Sequence, residues 1–315
     1  MIHLMSCNRC VRATGWIAAG ALLLVFVGSG RSSGRGRAFA SPQEGASALV
    51  GALRPLDTEK LRAILGPESD EIISSGDEVA DRNAAAAFVA SYERRHNIVV
   101  QDDTATLVVG EDDWPLPIPL VRDGESWRFD TEEGKEEILA RRVGRNELSA
   151  IEACRAIVDA QREYSDLMGG TGHEPVYAQK FASDPGQRNG LYWKTKEGEP
   201  ESPLGPEIVA AVAEGYGGQR APDKGPRPFH GYCYRILTAQ GPSAPGGARS
   251  YLVNGRMSGG FGVVAWPVEY GNSGIMTFMV SNRGVVYQKD LGDKTEQLAA
   301  RMTALDPDAS WEIVP

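Results

Sequence analysis

Between Pro42 and His96 apolar positions recur every three or four residues, and Pro or Gly-Pro closes the first two runs. Helices are therefore predicted over residues 45–53, 57–65 and 77–95. The last carries the alanine run 84–87, followed by Phe88, Val89 and Tyr92. Beyond it the period shortens. Residues 105–109, 118–121 and 126–129 read as strands, with Arg122-Asp123-Gly124-Glu125 as the hairpin turn between the last two. Pro115, Pro117 and Pro119 alternate along one strand, which cannot donate at those positions and belongs at a sheet edge.

A second pattern begins near Gly144. Residues 146–168 contain neither Pro nor Gly, and Leu148, Ile151, Cys154, Ile157, Val158, Tyr164, Leu167 and Met168 recur at spacings of three and four. One long amphipathic helix is predicted, with Leu148, Ile151, Cys154, Ile157 and Val158 facing inward and Arg155, Asp159 and Arg162 outward. Gly169-Gly170 ends it. A short helix over 206–214 follows, then strands at 229–238, 249–253, 262–266, 275–280 and 285–288, spaced like an antiparallel meander, and a last helix over 295–305. The expected class is α+β. Residues 41–143 form a helical N-terminal unit with a small antiparallel hairpin sheet, and residues 144–315 a long helix packed on an antiparallel sheet.

Residues 1–40 stand outside this pattern. Arg9 and Arg12 precede the apolar run 16–27, and a small-residue stretch ends at Ala38-Phe39-Ala40, the order of a secretory signal peptide. Cleavage after Ala40 and export to the periplasm or cell envelope are expected. Extending the run to residues 13–30 gives a marginal spanning segment, so a retained N-terminal anchor is the alternative and the one expected membrane contact.

The formal charge of the 315-residue chain is −9, and residues 1–40 hold five arginines and no acid. The remainder carries 28 basic against 42 acidic residues, −14, with no basic and aromatic cluster, which argues against nucleic-acid binding. Cys154 and Cys233 are the cysteines of that remainder. They are a disulfide candidate in an oxidising compartment, or else two small buried hydrophobes.

Catalytic and cofactor motifs are sparse. His96, His173 and His230 each lack a second histidine at ligand spacing, so no metal site is expected. The glycine-rich stretch 254–262 runs into a strand instead of a helix and lacks the lysine of a phosphate loop, and no cofactor is expected. Gly271-Asn272-Ser273-Gly274 reads as a hairpin turn, without the surroundings of a nucleophilic serine. Tyr232, Tyr234, Tyr251, Phe261, Trp266 and Tyr270 fall in the predicted sheet, where alternation would expose some on one face. Tyr232, Tyr234, Trp266 and Tyr270 are the candidates for a surface that binds peptide or glycan.

Several segments carry a resemblance. Trp114-Pro115-Leu116-Pro117-Ile118-Pro119, Asn146 to Tyr164, Phe229-His230-Gly231-Tyr232, Ser250-Tyr251-Leu252-Val253 and Phe261 to Tyr287 resemble an exported bacterial family catalogued as domain-of-unknown-function family 2950, over most of residues 42–315. The resemblance implies an envelope location and transfers no activity. Ala160-Gln161-Arg162-Glu163-Tyr164, Gly231-Tyr232-Cys233-Tyr234-Arg235 and Gly284-Val285-Val286-Tyr287 are similar, more distantly, to the globular part of type IV pilin-like proteins. That likeness implies a fold only, because the residues before Asn146 are charged where a filament-forming helix stays apolar. The expected function is a non-catalytic binding or assembly module of the cell envelope, with an envelope protein, a peptide or a glycan as partner. The alternative is an envelope hydrolase with its site around His173 or His230.

Overall fold

A computed structural model describes residues 35–169, 174–196, 198–216 and 228–315. They belong to one compact unit. Four helices open the fold: α1 (Pro42–Leu53), α2 (Thr58–Leu65), the short α3 (Asp70–Ile73) and α4 (Glu78–Arg94). Their starts follow from capping. The Ser41 hydroxyl accepts the Glu44 amide, Asp57 accepts the Lys60 amide, and Asp77 accepts the amides of Val79 and Ala80.

Strands β1 (His96–Gln101), β2 (Thr104–Val109), β3 (Trp114–Pro115), β4 (Leu120–Asp123) and β5 (Ser126–Phe129) form the first antiparallel sheet, in the order β1-β2-β4-β5 with β3 beside β2. Alternation along β2 buries Ala105, Leu107 and Val109 beneath α1 and α2, together with Leu120, Trp127 and Phe129. Of the three alternating prolines, Pro115 is in a strand, and Pro117 and Pro119 lie in the connection to β4.

The fold begins before residue 41. The Arg128 guanidinium donates to the Gly36 carbonyl, the Arg37 amide donates to Ala63 O, and Phe39 and Trp127 exchange both backbone hydrogen bonds. Phe39 is 2% exposed and meets Phe129 edge to face. Residues 36–40 thus extend the sheet past β5 and fill its core, which corrects the placing of the segment up to Ala40 outside the folded part.

Helix α5 (Thr131–Gly169) has 39 residues and runs through the boundary expected at Gly144. At Gly134 a Cβ would stand 2.5 Å from the Pro117 carbonyl oxygen, so glycine allows the chain at 117–118 to touch the helix. Gly144 faces open space and costs only helix propensity. Its buried stripe includes Val143, Ala150, Cys154, Ile157, Val158 and Tyr164 with two polar members, Asn146 and Gln161. The Asn146 amide donates to Ser273 O, and the Gln161 side chain makes two hydrogen bonds with the Ala178 backbone. Leu148, expected inside, is 66% exposed, whereas Arg155, Asp159 and Arg162 face solvent as expected.

After α6 (Gly205–Ala213) come β6 (Tyr232–Leu237), the short strands β7 (Ala239–Gln240), β8 (Arg249–Ser250), β9 (Leu252–Val253) and β10 (Arg256–Met257), then β11 (Gly262–Pro267), β12 (Met276–Ser281) and β13 (Val286–Asp290). Helix α7 (Thr295–Arg301), β14 (Ala304–Leu305) and β15 (Glu312–Ile313) close the chain. The main sheet is antiparallel in the order β15-β13-β12-β11-β6, and the short strands form two smaller sheets. Helix α5 covers one face over Tyr232, Ile236, Val263, Ala265 and Phe278. The other face gathers Cys233, Leu237, Val264, Trp266 and Met279 with Ala299 of α7. The class is mixed α+β, with a long helix on an antiparallel sheet.

This two-sided sheet parts the two cysteines of the described residues. Cys154 is on α5, and Cys233 follows Tyr232 along β6, so strand alternation turns it to the opposite face. The sheet stands between the two sulfurs.

Candidate functional site

The four aromatics proposed as a binding face do not share one. Tyr232 is fully buried with its hydroxyl donating to Met276 O, and Tyr234 beside it on the α5 face has a buried hydroxyl that burial holds far above its usual pKa. Trp266 lies in the opposite core with the Arg235 guanidinium over its ring, and the Tyr270 hydroxyl is tied to Asp290 at the periphery. Core packing, not ligand capture, accounts for the first three.

His173 lies outside the described residues. His230 Nε2 is 3.0 Å from Glu214 Oε2, and its ring stacks near Tyr216. Beside it Asp77, buried at the start of α4, accepts from the Tyr216 hydroxyl at 2.9 Å and the Gly231 amide at 3.0 Å. Burial and this carboxylate push the Tyr216 phenol upward in pKa. The cluster fastens the loop before β6 to α4. Among the described residues no group of His, Cys, Asp and Glu is placed to hold a metal ion.

A concave feature lies elsewhere among the described residues. A cleft of about 290 Å³ opens between α1, α2, α4, α5 and residues 114–118. Leu49, Leu53, Leu61, Leu65, Ile72, Phe88, Leu116 and Ile118 supply its apolar lining. Ala80, Ala84 and Ala85 line it from α4, and these small side chains leave space that larger ones would fill. Phe88 and Trp114 meet edge to face at 6.2 Å, with Trp114 38% exposed.

Polar groups gather on one wall. The Asp81 carboxylate accepts from the Ser75 amide at 3.0 Å and the Ser75 hydroxyl at 2.7 Å. Desolvation raises its pKa despite these bonds and the nearby Arg142. Arg142 donates to the carbonyls of Glu71 and Ile72 and to Asn272 Oδ1, and burial lowers its pKa. Arg141 is bonded to Glu137 at 2.6 Å and lies over the Trp114 ring. Arg145, one turn further along α5, also lines the cleft but makes no hydrogen bond or ion pair among the described residues. An apolar floor with a cationic wall can hold an apolar body and steady a negative group.

A family model described as a protein of unknown function (DUF2950) matches residues 36–314. The chain belongs to the DUF2950 family. The match to DUF2950 begins at Gly36, where a Cβ would collide with the Ile64 carbonyl and where the backbone enters the fold. No curated protein and no solved structure matches the chain. The cleft of this DUF2950 member was missed by the sequence reading. Its signals were the alanine run on α4 and Arg141, Arg142 and Arg145 within little more than one turn of α5, two features that nothing in the sequence joins.

Proposed function

We propose that the protein is an exported binding module of the cell envelope whose site is the cleft between α4 and α5. The observation that carries this reading is an apolar cleft, left open by alanines, beside arginines. Its volume lies near the lower end of the ~300–1,000 Å³ range of small-molecule sites. Export rests on Arg9, Arg12 and the apolar run 16–27. With Phe39 in the core, any cleavage that leaves the fold intact falls before Gly36, not after Ala40. Filament assembly is no part of the reading, because α5 begins with Glu132, Glu133, Lys135, Glu136 and Glu137.

The test uses N-phenyl-1-naphthylamine, a neutral apolar dye that brightens on leaving water. The purified protein should bind it saturably, and Ala84→Phe, which fills the cleft from an exposed helical position, should weaken binding at least tenfold with the circular dichroism spectrum retained. Dye binding unaltered by that substitution would move the site elsewhere, and no binding at all would end the proposal.

A further inference from the structure

We propose that the ligand of the cleft is a single-chain alkyl carboxylate whose head group is held by Arg145. The inference rests on the cleft being the binding site, and adds the chemistry of what enters it.

Charge gives the first argument. The chain beyond residue 40 is strongly acidic, so an uncommitted guanidinium at the edge of its apolar cleft is out of keeping with the background. Arg141 is occupied by Glu137 and the Trp114 ring, and Arg142 by two carbonyls and Asn272. Arg145 alone of the three keeps its donors available. A monoanion suits it better than a dianion, because the Asp81 carboxylate belongs to the same cleft.

The lining decides between an alkyl chain and a peptide. A buried peptide needs partners for its amides, and each one left without a partner costs several kcal/mol in an apolar site. Helices supply most of the lining, and their interior amides and carbonyls already bond within the helix. In the 114–118 stretch the Leu116 amide is given to Leu107 O, and Pro117 has no amide hydrogen. Asp81 is engaged by Ser75. An alkyl chain makes no such demand. A cavity of ~150 Å³ accepts benzene, so this volume scales to an apolar body of roughly twelve carbons.

The experiment is displacement of N-phenyl-1-naphthylamine from the purified full chain by dodecanoate and by 1-dodecanol, each below its aggregation limit. Dodecanoate should displace the dye at a concentration at least tenfold lower than dodecanol. With each displacement read against that variant's own dye affinity, Arg145→Gln should bring the two within about twofold, and Arg145→Lys should keep most of the preference. Arg145 is exposed, so these variants should melt with the parent. Equal displacement by acid and alcohol in the parent, or a preference that survives Arg145→Gln, would overturn the carboxylate proposal while leaving the cleft as a binding site. Failure of the dye to bind, or its indifference to Ala84→Phe, would instead remove the cleft reading beneath it.

Discussion

Cys154 shows how much a single buried side chain adds to the pH response. Burial alone pushes its thiol from 9.0 to about 12. The native state therefore holds this proton more tightly than the unfolded chain does. The associated stability is fully present below about pH 9 and is lost as pH rises towards 12. Between pH 8 and pH 11, urea denaturation should show the parent losing about 3 kcal/mol more than Cys154→Ala. A loss equal in the two proteins would mean that the thiol is less shielded than its packing indicates. At this scale the sequence was legible where apolar spacing alone fixes burial, as at Cys154, Ile157 and Val158. Leu148 misled because it follows the spacing yet lies two positions before Ala150, on the far side of the helix. Asn146 and Gln161 were invisible as core residues. Their burial depends on backbone partners at Ser273 and Ala178, which no local pattern reveals.

Among elements, the short segment 36–40 carries more weight than its length suggests. It caps the β5 edge with two backbone hydrogen bonds and places Phe39 in the N-terminal core. Phe39→Ala should lower unfolding free energy by about 3–5 kcal/mol in urea titrations, and a value within experimental error of zero would mean that the segment only rests on the surface. Helices α1, α2 and α4 and strands β6, β11, β12 and β13 were readable because their periods are clean. Helix α3 carries too few residues for a period, and the strand expected at 249–253 divides into β8 and β9 in separate small sheets. Strand β1 was not readable, since Ile98, Val99 and Val100 run consecutively and Val99 and Val100 are exposed. Helix α5 was read too short because glycine normally signals a break. Here Gly134 serves a close approach and Gly144 faces solvent.

At the scale of the whole fold, the described residues on both sides of the boundary expected at 143/144 belong to one compact unit. The Gly271-Asn272-Ser273-Gly274 turn is the fastening. Asn272 Nδ2 donates to Ser74 O and to Glu269 at 2.8 Å each, and its Oδ1 accepts from Arg142. Asn272→Ala leaves Arg142 one acceptor short in a partly buried place and should cost about 2 kcal/mol. Far-UV dichroism and tryptophan fluorescence should still report coincident urea midpoints. Separated midpoints would show two independently folding parts. The cleft escaped the sequence because its walls come from positions near 50, 84, 116 and 142, which only the finished fold brings together. At 1.5 Å per residue α5 is about 58 Å long, and it serves as a wall of the cleft at one end and the cover of the main sheet at the other. The cleft wall and the sheet cover thus share one continuous run of helical hydrogen bonds, with no loop between them at which a hinge could form.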